Sequence, residues 1–195
     1  FIIFPHTTVP LNIFEPRYLD MINDSIRGNK IIGLIQPKNK SKDIPELYSI
    51  GCAAKITSYN ELEDGRYLIA LNGISRFKIL KEVVNDKAYR ECEVSFEEYN
   101  FDQKQNTSKF TKTDLEPIFE NLKSLFKKRN YVINIDSLKK ESIEQIINTL
   151  AMASPFSLEE KQALLETQNI LKRKLELEQI LNTYIVDNFN NTTLQ

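Results

Sequence analysis

The chain has 195 residues, of which 41% are apolar and 27% are charged, with a formal net charge of −1 and a pI of about 6.0. This mixture is typical of a folded globular chain and excludes an intrinsically disordered one. A balanced charge provides no bulk attraction to nucleic-acid phosphates or to an anionic membrane surface.

Targeting features and cysteines point to a reducing compartment. No apolar run approaches the length of a membrane span, and the first residues lack the basic start of a signal peptide. Cys52 and Cys92 lie within apolar or β-type surroundings and do not have zinc-ligand spacing. We therefore predict a cytoplasmic protein with two structural thiols. Because the chain begins at Phe1 without an initiator Met, we also expect residues upstream of it.

Strands and turns dominate the first hundred residues. Apolar and β-branched runs predict strands near residues 31–35, 50–59, 66–71, 74–80 and 90–97. Asp64-Gly65 and Asn72-Gly73 are turn signals between successive runs. Alternation along residues 74–80 places Arg76 and Lys78 on one face, predicted to point outward, opposite Phe77. The pattern predicts an antiparallel meander with one face against a core.

One helix interrupts these strands. Pro16 suits a first helical position, and Glu15 just before it is predicted to cap the helix N-terminus. Leu19, Ile22 and Ile26 share one stripe, and Gly28 is predicted to end the helix in a left-handed conformation.

The second half has a helical period. Apolar stripes occupy positions 115–126 and 143–150, and leucines continue the pattern through Leu171, Leu175, Leu177 and Leu181. Ser157 and Glu160 fit a capping box. We predict a β-rich subdomain at residues 1–100, a polar linker at 101–113 and a helical subdomain at 114–195, with a frayed tail.

Signatures of catalysis and of cofactor binding are missing from this sequence. His6 is the only histidine, and five scattered glycines form no phosphate loop or dinucleotide fingerprint. The acidic group Glu61, Glu63 and Asp64 is interpreted as a solvated hairpin loop. We predict no catalytic residues, no cofactor and no metal, although a Ser-Lys dyad stays open because its geometry is not visible in a sequence.

Three ordered segments resemble the substrate-binding domain found at the N-terminus of Lon proteases. They are PLNIFEPRY at residues 10–18, GCAAKI through the DGRYLIALNGISRF run at residues 51–77, and SPFSLEEKQALLE at residues 154–166. The resemblance implies a PUA-like β-barrel half with one inserted helix, followed by an α-helical bundle. It also implies recruitment of unfolded or exposed apolar polypeptide without cleavage.

The resemblance leaves two ways to place this chain. It is either a freestanding bacterial relative, which we favour because the helices end at a polar tail, or the N-terminal fragment of a full ATP-dependent Lon protease. Members of the family usually begin with a strand ahead of the position of Phe1. This departure agrees with a missing start.

Polypeptide binding requires exposed aromatic side chains near polar groups. The candidate surface around the central hairpin consists of Tyr59, Arg66, Tyr67, Arg76 and Lys78. The structural alternative is that Tyr67 and Phe77 fill the core and that Arg17 or Arg76 pairs with Glu15.

Two other functions compete with polypeptide binding. A PUA-like RNA-binding module would need a basic groove, which the balanced charge disfavours. A hydrolase would need a Ser-Lys pair in contact within a pocket. The sequence does not indicate an oligomeric state or a particular partner protein.

Overall fold

The computed structural model describes residues 2–38, 44–103, 110–129 and 134–192. The chain divides into two compact units, Phe1–Asn106 and Thr107–Gln195. In the described ranges the first unit contains all the strands and one α-helix, whereas the second contains helices. The mixed composition predicted from the sequence is confirmed.

The first unit is built on one antiparallel sheet. Its strands are β1 (Thr8–Ile13), β2 (Ile31–Leu34), β3 (Ile50–Glu61), β4 (Tyr67–Val83) and β5 (Glu91–Ser95), with helix α1 (Pro16–Arg27) after β1 and a 3-10 helix at Glu97–Gln103. The strand order is β1-β4-β3-β2, and β5 pairs with the far end of β4. The opposed residues Ile56 and Leu71 are buried, whereas Asn60 and Leu68, paired nearer the hairpin, are exposed. One face of the sheet therefore forms the core of this unit.

β4 is one continuous strand, and the predicted turn at Asn72-Gly73 is wrong. The N-terminal segment crosses the strand here, because His6 N–H donates to the Gly73 carbonyl and Gly73 N–H donates to the Thr7 carbonyl, both at 2.9 Å. A Cβ added at Gly73 would lie 2.0 Å from the Phe4 carbonyl oxygen. Glycine is thus present for this close approach and not for a turn.

The turn at Asp64-Gly65 is confirmed. Gly65 has φ +78°, a conformation that glycine adopts at no steric cost. Gly65 N–H donates to the Leu62 carbonyl at 2.9 Å, and Leu62 N–H donates to the Arg66 carbonyl at 2.8 Å. These bonds join β3 directly to β4.

Helix α1 begins and ends at the predicted residues, but neither terminus is capped in the predicted way. Glu15 makes no capping bond, because its carboxylate pairs instead with Arg17 at 2.9 Å. Gly28 has φ −103° and is not left-handed; Lys30 takes a positive φ of 61° instead. The Ser25 carbonyl accepts from both Gly28 N–H and Lys30 N–H at 3.0 Å, which closes the helix before β2.

Strand β1 is not among the predicted elements. Its residues alternate between exposed and half-buried positions, which is the period of a strand with one covered face. Pro10 obscures this pattern, since proline lacks the N–H of a central strand. β1 is a terminal strand of the sheet order, where proline is tolerated.

The second unit consists of packed helices. They are α2 (Glu116–Arg129), α3 (Ile135–Leu138), α4 (Ile143–Ala153), α5 (Leu158–Glu166) and α6 (Ile170–Thr192), preceded by a 3-10 helix at Lys112–Leu115. The predicted stripes are largely confirmed, since Leu115 to Phe126 and Ile146 to Leu150 supply buried side chains. On α6, however, Leu171 and Leu175 are exposed, whereas Leu177 and Leu181 are buried.

Two sets of polar contacts stabilise the helices of this unit: a capping box at the start of α5 and the hydrogen bonds of Arg173. The Ser157–Glu160 capping box forms as predicted, with Glu160 N–H donating to Ser157 Oγ at 3.1 Å. Arg173 is buried, and its guanidinium donates to the Leu164 carbonyl at 2.9 Å and to Asn148 Oδ1 at 2.6 Å. These bonds tie α6 to α5 and α4, a connection that helical periodicity does not reveal.

None of the described helices combines the length and the apolar character that are needed to cross a bilayer. Residues 104–109 of the predicted linker and residues 193–195 of the predicted tail lie outside the described ranges.

Candidate functional site

The five predicted surface residues do not form one patch. Tyr59, near the end of β3, and Arg66, just before β4, lie at the hairpin between these strands, and both are exposed. Lys30 Nζ lies 5.5 Å from the centre of the Tyr59 ring, and Arg66 Nε donates to Asp64 Oδ2 at 2.7 Å. Lys78 lies twelve residues beyond Arg66, up to about 40 Å along an extended strand. The hairpin residues and Lys78 therefore belong to different ends of the sheet.

Tyr67 belongs to the core, as the structural alternative states. It is buried, and its O–H donates to Asn23 Oδ1 of α1 at 2.9 Å. Burial raises the pKa of its phenol above the ordinary value. Tyr67 thus fixes α1 to the sheet and is not available as a binding surface.

The outward position predicted for Arg76 is wrong. Neighbouring strand residues face opposite sides, and both sides of β4 are covered here. Phe77 packs over Gly33 and Gly51 on one side, whereas the segment Tyr99 to Asp102 covers Arg76 on the other. Arg76 pairs with Asp102 at 2.7 Å rather than with Glu15. Asp102 lies in the stretch predicted as linker, so alternation alone could not predict the burial.

The side chain of Lys78 is accessible to solvent, but its ammonium group is paired with a carboxylate. Its Nζ donates to Glu98 Oε1 at 2.6 Å, and this hydrogen bond raises the pKa of the lysine. The charge is therefore met within the unit itself.

Further exposed apolar side chains lie toward the other end of β4. Beyond Lys78, residues 79–83 of β4 pair with β5 and form a two-stranded extension that we call the ribbon. Leu80 is 62% exposed and Val84, just after the ribbon, is 99% exposed, and Val83 and Phe96 are also solvent-accessible. Exposed apolar side chains along one strand pair offer a surface to another apolar chain. The sequence signal is the run Leu80 to Val84, which passes the predicted end of the strand.

A register shift at Leu80 explains its exposure. Ile79 pairs with Val94 and Lys81 with Glu93, so that Leu80 is the extra residue of a β-bulge. A bulge leaves one residue outside the ladder and re-aims its side chain.

A groove of about 260 Å³ lies beside the ribbon. Its lining includes Leu47, Tyr48, Ile79 and Cys92, with Glu82 and Arg90 among its polar members. Burial raises the pKa of the Cys92 thiol, which disfavours the thiolate that thiol chemistry requires. The groove is thus suited to an apolar group and not to thiol chemistry.

The charges of the ribbon neutralise one another. Lys81 pairs with Glu93 at 3.1 Å. Arg90 donates to Glu82 through two of its guanidinium nitrogens, Nε to Oε1 and Nη2 to Oε2 at 2.6 Å, and these hydrogen bonds lower the pKa of Glu82. The surface around the apolar side chains therefore offers little net charge to a ligand.

Lys161 and Ser154 are the described groups closest in character to a Ser-Lys dyad, since the lysine is partly buried and the serine is buried. Lys161 has a pKa lowered by burial, but its Nζ donates to the Met152 carbonyl at 2.7 Å. In the part of the chain that the structure describes, Ser154 Oγ has no hydrogen-bond partner, and no three or more His, Cys, Asp or Glu side chains are grouped to hold a metal. Glu61, Glu63 and Asp64 stay at the solvated hairpin.

Comparison with known proteins agrees with the resemblance seen in the sequence. The family model described as the ATP-dependent protease La (LON) substrate-binding domain matches residues 1–183. A Lon protease of Malacoplasma penetrans is 31% identical over 194 residues, and one of Flavobacterium johnsoniae is 28% identical over 190 residues. Each match covers 93% of this chain but only 24% and 22% of the relative, respectively.

Solved structures match the fold. The Lon N-terminal domain protein from Xanthomonas campestris aligns with a TM-score of 0.62 at 21% identity, and the N-terminal domain of a Mycobacterium avium complex Lon protease with 0.63 at 19%. Both alignments cover 93% of this chain and 92% of the other. Since a single family model extends over almost all of the sequence, the chain belongs to the LON substrate-binding domain family.

Proposed function

We propose that this chain recognises polypeptides, binding unfolded or exposed apolar segments of client proteins at the ribbon of its first unit. The observation that carries the proposal is the exposure to solvent of the apolar side chains at residues 80, 83, 84 and 96. Removing such side chains from water is the main source of favourable free energy when apolar chains associate. Membership of a substrate-binding family supports the same function.

We also propose the larger protein context in which this polypeptide recognition takes place. The curated relatives carry this domain within much longer chains, so we infer that recognition serves an ATP-dependent protease. The freestanding arrangement and a cytoplasmic location stay predictions from the sequence. We further propose that the antiparallel sheet, with α1 inserted between β1 and β2, is a PUA-like barrel half.

Ion pairing favours polypeptide over RNA as the ligand. An RNA-binding surface needs cations that are free to meet phosphates. At the ribbon Lys78, Lys81 and Arg90 each face a carboxylate instead.

The test compares two forms of one client. A small disulfide-bonded protein is labelled with a fluorophore and used either native or reduced and carboxymethylated, so that the second form cannot fold. We expect the chain to bind only the unfolded form, measured by fluorescence anisotropy. An unlabelled single-stranded RNA is added as a competitor at low and at physiological salt.

The proposal would be contradicted if the chain bound the native and the unfolded form equally well, or if it bound neither form. Displacement of the client by RNA at low salt, relieved by added salt, would favour the RNA-binding alternative. Insensitivity to RNA at both salt concentrations is the expected result.

A further inference from the structure

The ladder between β3 and β4 splits at the base of the ribbon. Its last pair is Ile50 with Lys78, after which Ile79 N–H donates to the Ser49 carbonyl at 2.8 Å. From there residues 46–48 turn toward residues 36–38, with Tyr48 N–H donating to the Gln36 carbonyl at 3.0 Å, whereas β4 continues beside β5. The two segments diverge, and the groove lies between them.

The split leaves one edge of β4 without a strand. Within the described ranges, residues 80–83 pair with β5 on one side, and no strand pairs with them on the other. An edge of this kind presents N–H and C=O groups that an incoming extended segment can pair with. The backbone hydrogen bonds of such a pairing do not depend on the side chains of the incoming segment.

The side chains around this edge select the kind of segment. Leu80 and Val84 are exposed beside it, while Lys81 and Glu82 are engaged by Glu93 and Arg90. A charged segment would meet no free counter-charge from these pairs. The groove volume of about 260 Å³ is below the roughly 300 Å³ that small-molecule pockets start from. It is suited to one apolar side chain of a longer ligand.

We propose that residues 80–83 of β4 accept an extended, uncharged apolar segment of a client polypeptide as an added strand, with one apolar side chain of that segment in the groove. This inference rests on the proposed function and adds to it the conformation and class of the bound segment.

The test uses synthetic peptides with the whole chain. The parent is a nine-residue peptide of alternating valine and threonine, labelled for anisotropy. Two further peptides carry N-methyl groups on alternate amides, one on the odd set and one on the even set, which removes hydrogen-bond donors but keeps every side chain. A fourth peptide replaces threonine with glutamate, and a fifth with lysine.

We expect the parent to bind and one methylated peptide to lose at least about tenfold in affinity, because only one edge of an added strand faces β4. The other methylated peptide should bind like the parent, and both charged peptides should bind more weakly. Hydrogen exchange should slow when the parent is added at those amides of residues 80–83 that point away from β5. Amides of β4 near Leu68 provide the control and should not change.

Different failures lead to different conclusions. If both methylated peptides bind like the parent and no amide gains protection, strand addition is wrong while polypeptide recognition stands. If unfolded protein binds but the parent peptide does not, the assigned class of segment is wrong. If the charged peptides bind as tightly as the parent, selection for an uncharged segment is wrong. Protection of residues 80–83 that grows with protein concentration alone would identify the edge as a contact between two copies. If neither unfolded protein nor peptide binds, the proposed function itself is wrong.

Discussion

Arg76 holds Asp102 at three points inside the first unit. Its Nη2 and Nε donate to Oδ1 and Oδ2 at 2.7 and 2.8 Å, and its backbone N–H donates to Oδ2 at 3.0 Å. The two side chains are 1% and 2% exposed, and the guanidinium carbon lies 4.2 Å from the centre of the Tyr99 ring. His6 Nε2 lies 2.7 Å from the Asp102 carbonyl oxygen. The residues after β5 are thus fastened both to β4 and to the N-terminal segment.

Breaking this ion pair should be more harmful than replacing it. Asp102→Ala leaves a buried guanidinium without its carboxylate, which should cost about 3–5 kcal/mol of stability. The double variant Arg76→Met with Asp102→Leu should recover a large part of that loss, since no buried charge is left unmatched. Hydrogen exchange of the β3 and β4 amides measures the stability of this unit alone, which matters because a two-unit chain need not unfold in one step. A double variant as unstable as Asp102→Ala would contradict the explanation.

Gly73 should tolerate no side chain. In Gly73→Ala the new Cβ would meet the Phe4 carbonyl oxygen at 2.0 Å, so backbone must shift, at a cost of about 1–3 kcal/mol or more. Gly28→Ala is the matched control, because its Cβ would make an ordinary contact of 3.6 Å with the Asp24 carbonyl oxygen. Denaturant unfolding of the two variants should give a clear loss for the first and a change within about 1 kcal/mol for the second.

The cap of α5 should contribute measurably to the second unit. Ser157→Ala removes the oxygen that accepts from Glu160 N–H and should cost about 1 kcal/mol. Ser157→Asn keeps an acceptor at the same position and should restore most of the loss. Amide exchange in the first turn of α5 provides the measurement. Equal stability of the alanine and asparagine variants would show that the cap is not responsible.

The stability of the second unit should depend on alkaline pH through Lys161. Burial lowers the pKa of this lysine in the folded state, so the unfolded state holds the proton more tightly. Stability therefore rises with pH between the folded pKa and the unfolded value of about 10.5. We expect the difference in free energy of unfolding between the natural protein and Lys161→Met to move in favour of the natural protein as the pH is raised toward that value. A pH-independent difference would contradict the assignment.

Leu80 should matter for client binding, whereas Leu68 in the same strand should not. Leu80→Ser removes an exposed side chain of the ribbon and should weaken binding of an unfolded client about tenfold, since burying a leucine contributes roughly 1.5–3 kcal/mol. Leu68, which is 45% exposed between Asn12 and Asn60, provides the matched control. Fluorescence anisotropy titrations of a labelled unfolded client with each of the two variants measure the effect on binding. A loss confined to Leu68→Ser would move the site to the hairpin end of the sheet.

Local patterns in the sequence determined a large part of the fold. Pro16 predicted the start of α1, Asp64-Gly65 the hairpin, and Ser157 with Glu160 the start of α5, because each depends only on residues a few positions apart. The order of the motifs likewise predicted the family. The apolar stripes of the second unit follow from the helical period and are largely buried, as expected.

Only the tertiary structure decided three properties: the burial of Arg76, the need for glycine at position 73, and the exposure of Leu80. Arg76 is buried because Asp102, 26 residues away in a stretch predicted as linker, folds back over it. Residue 73 is glycine because the N-terminal segment passes too close for a side chain, and Leu80 is exposed because the ladder with β3 has ended and β4 bulges against β5. Each depends on which distant segments meet, and a long-range contact leaves no periodic trace in the residues that make it.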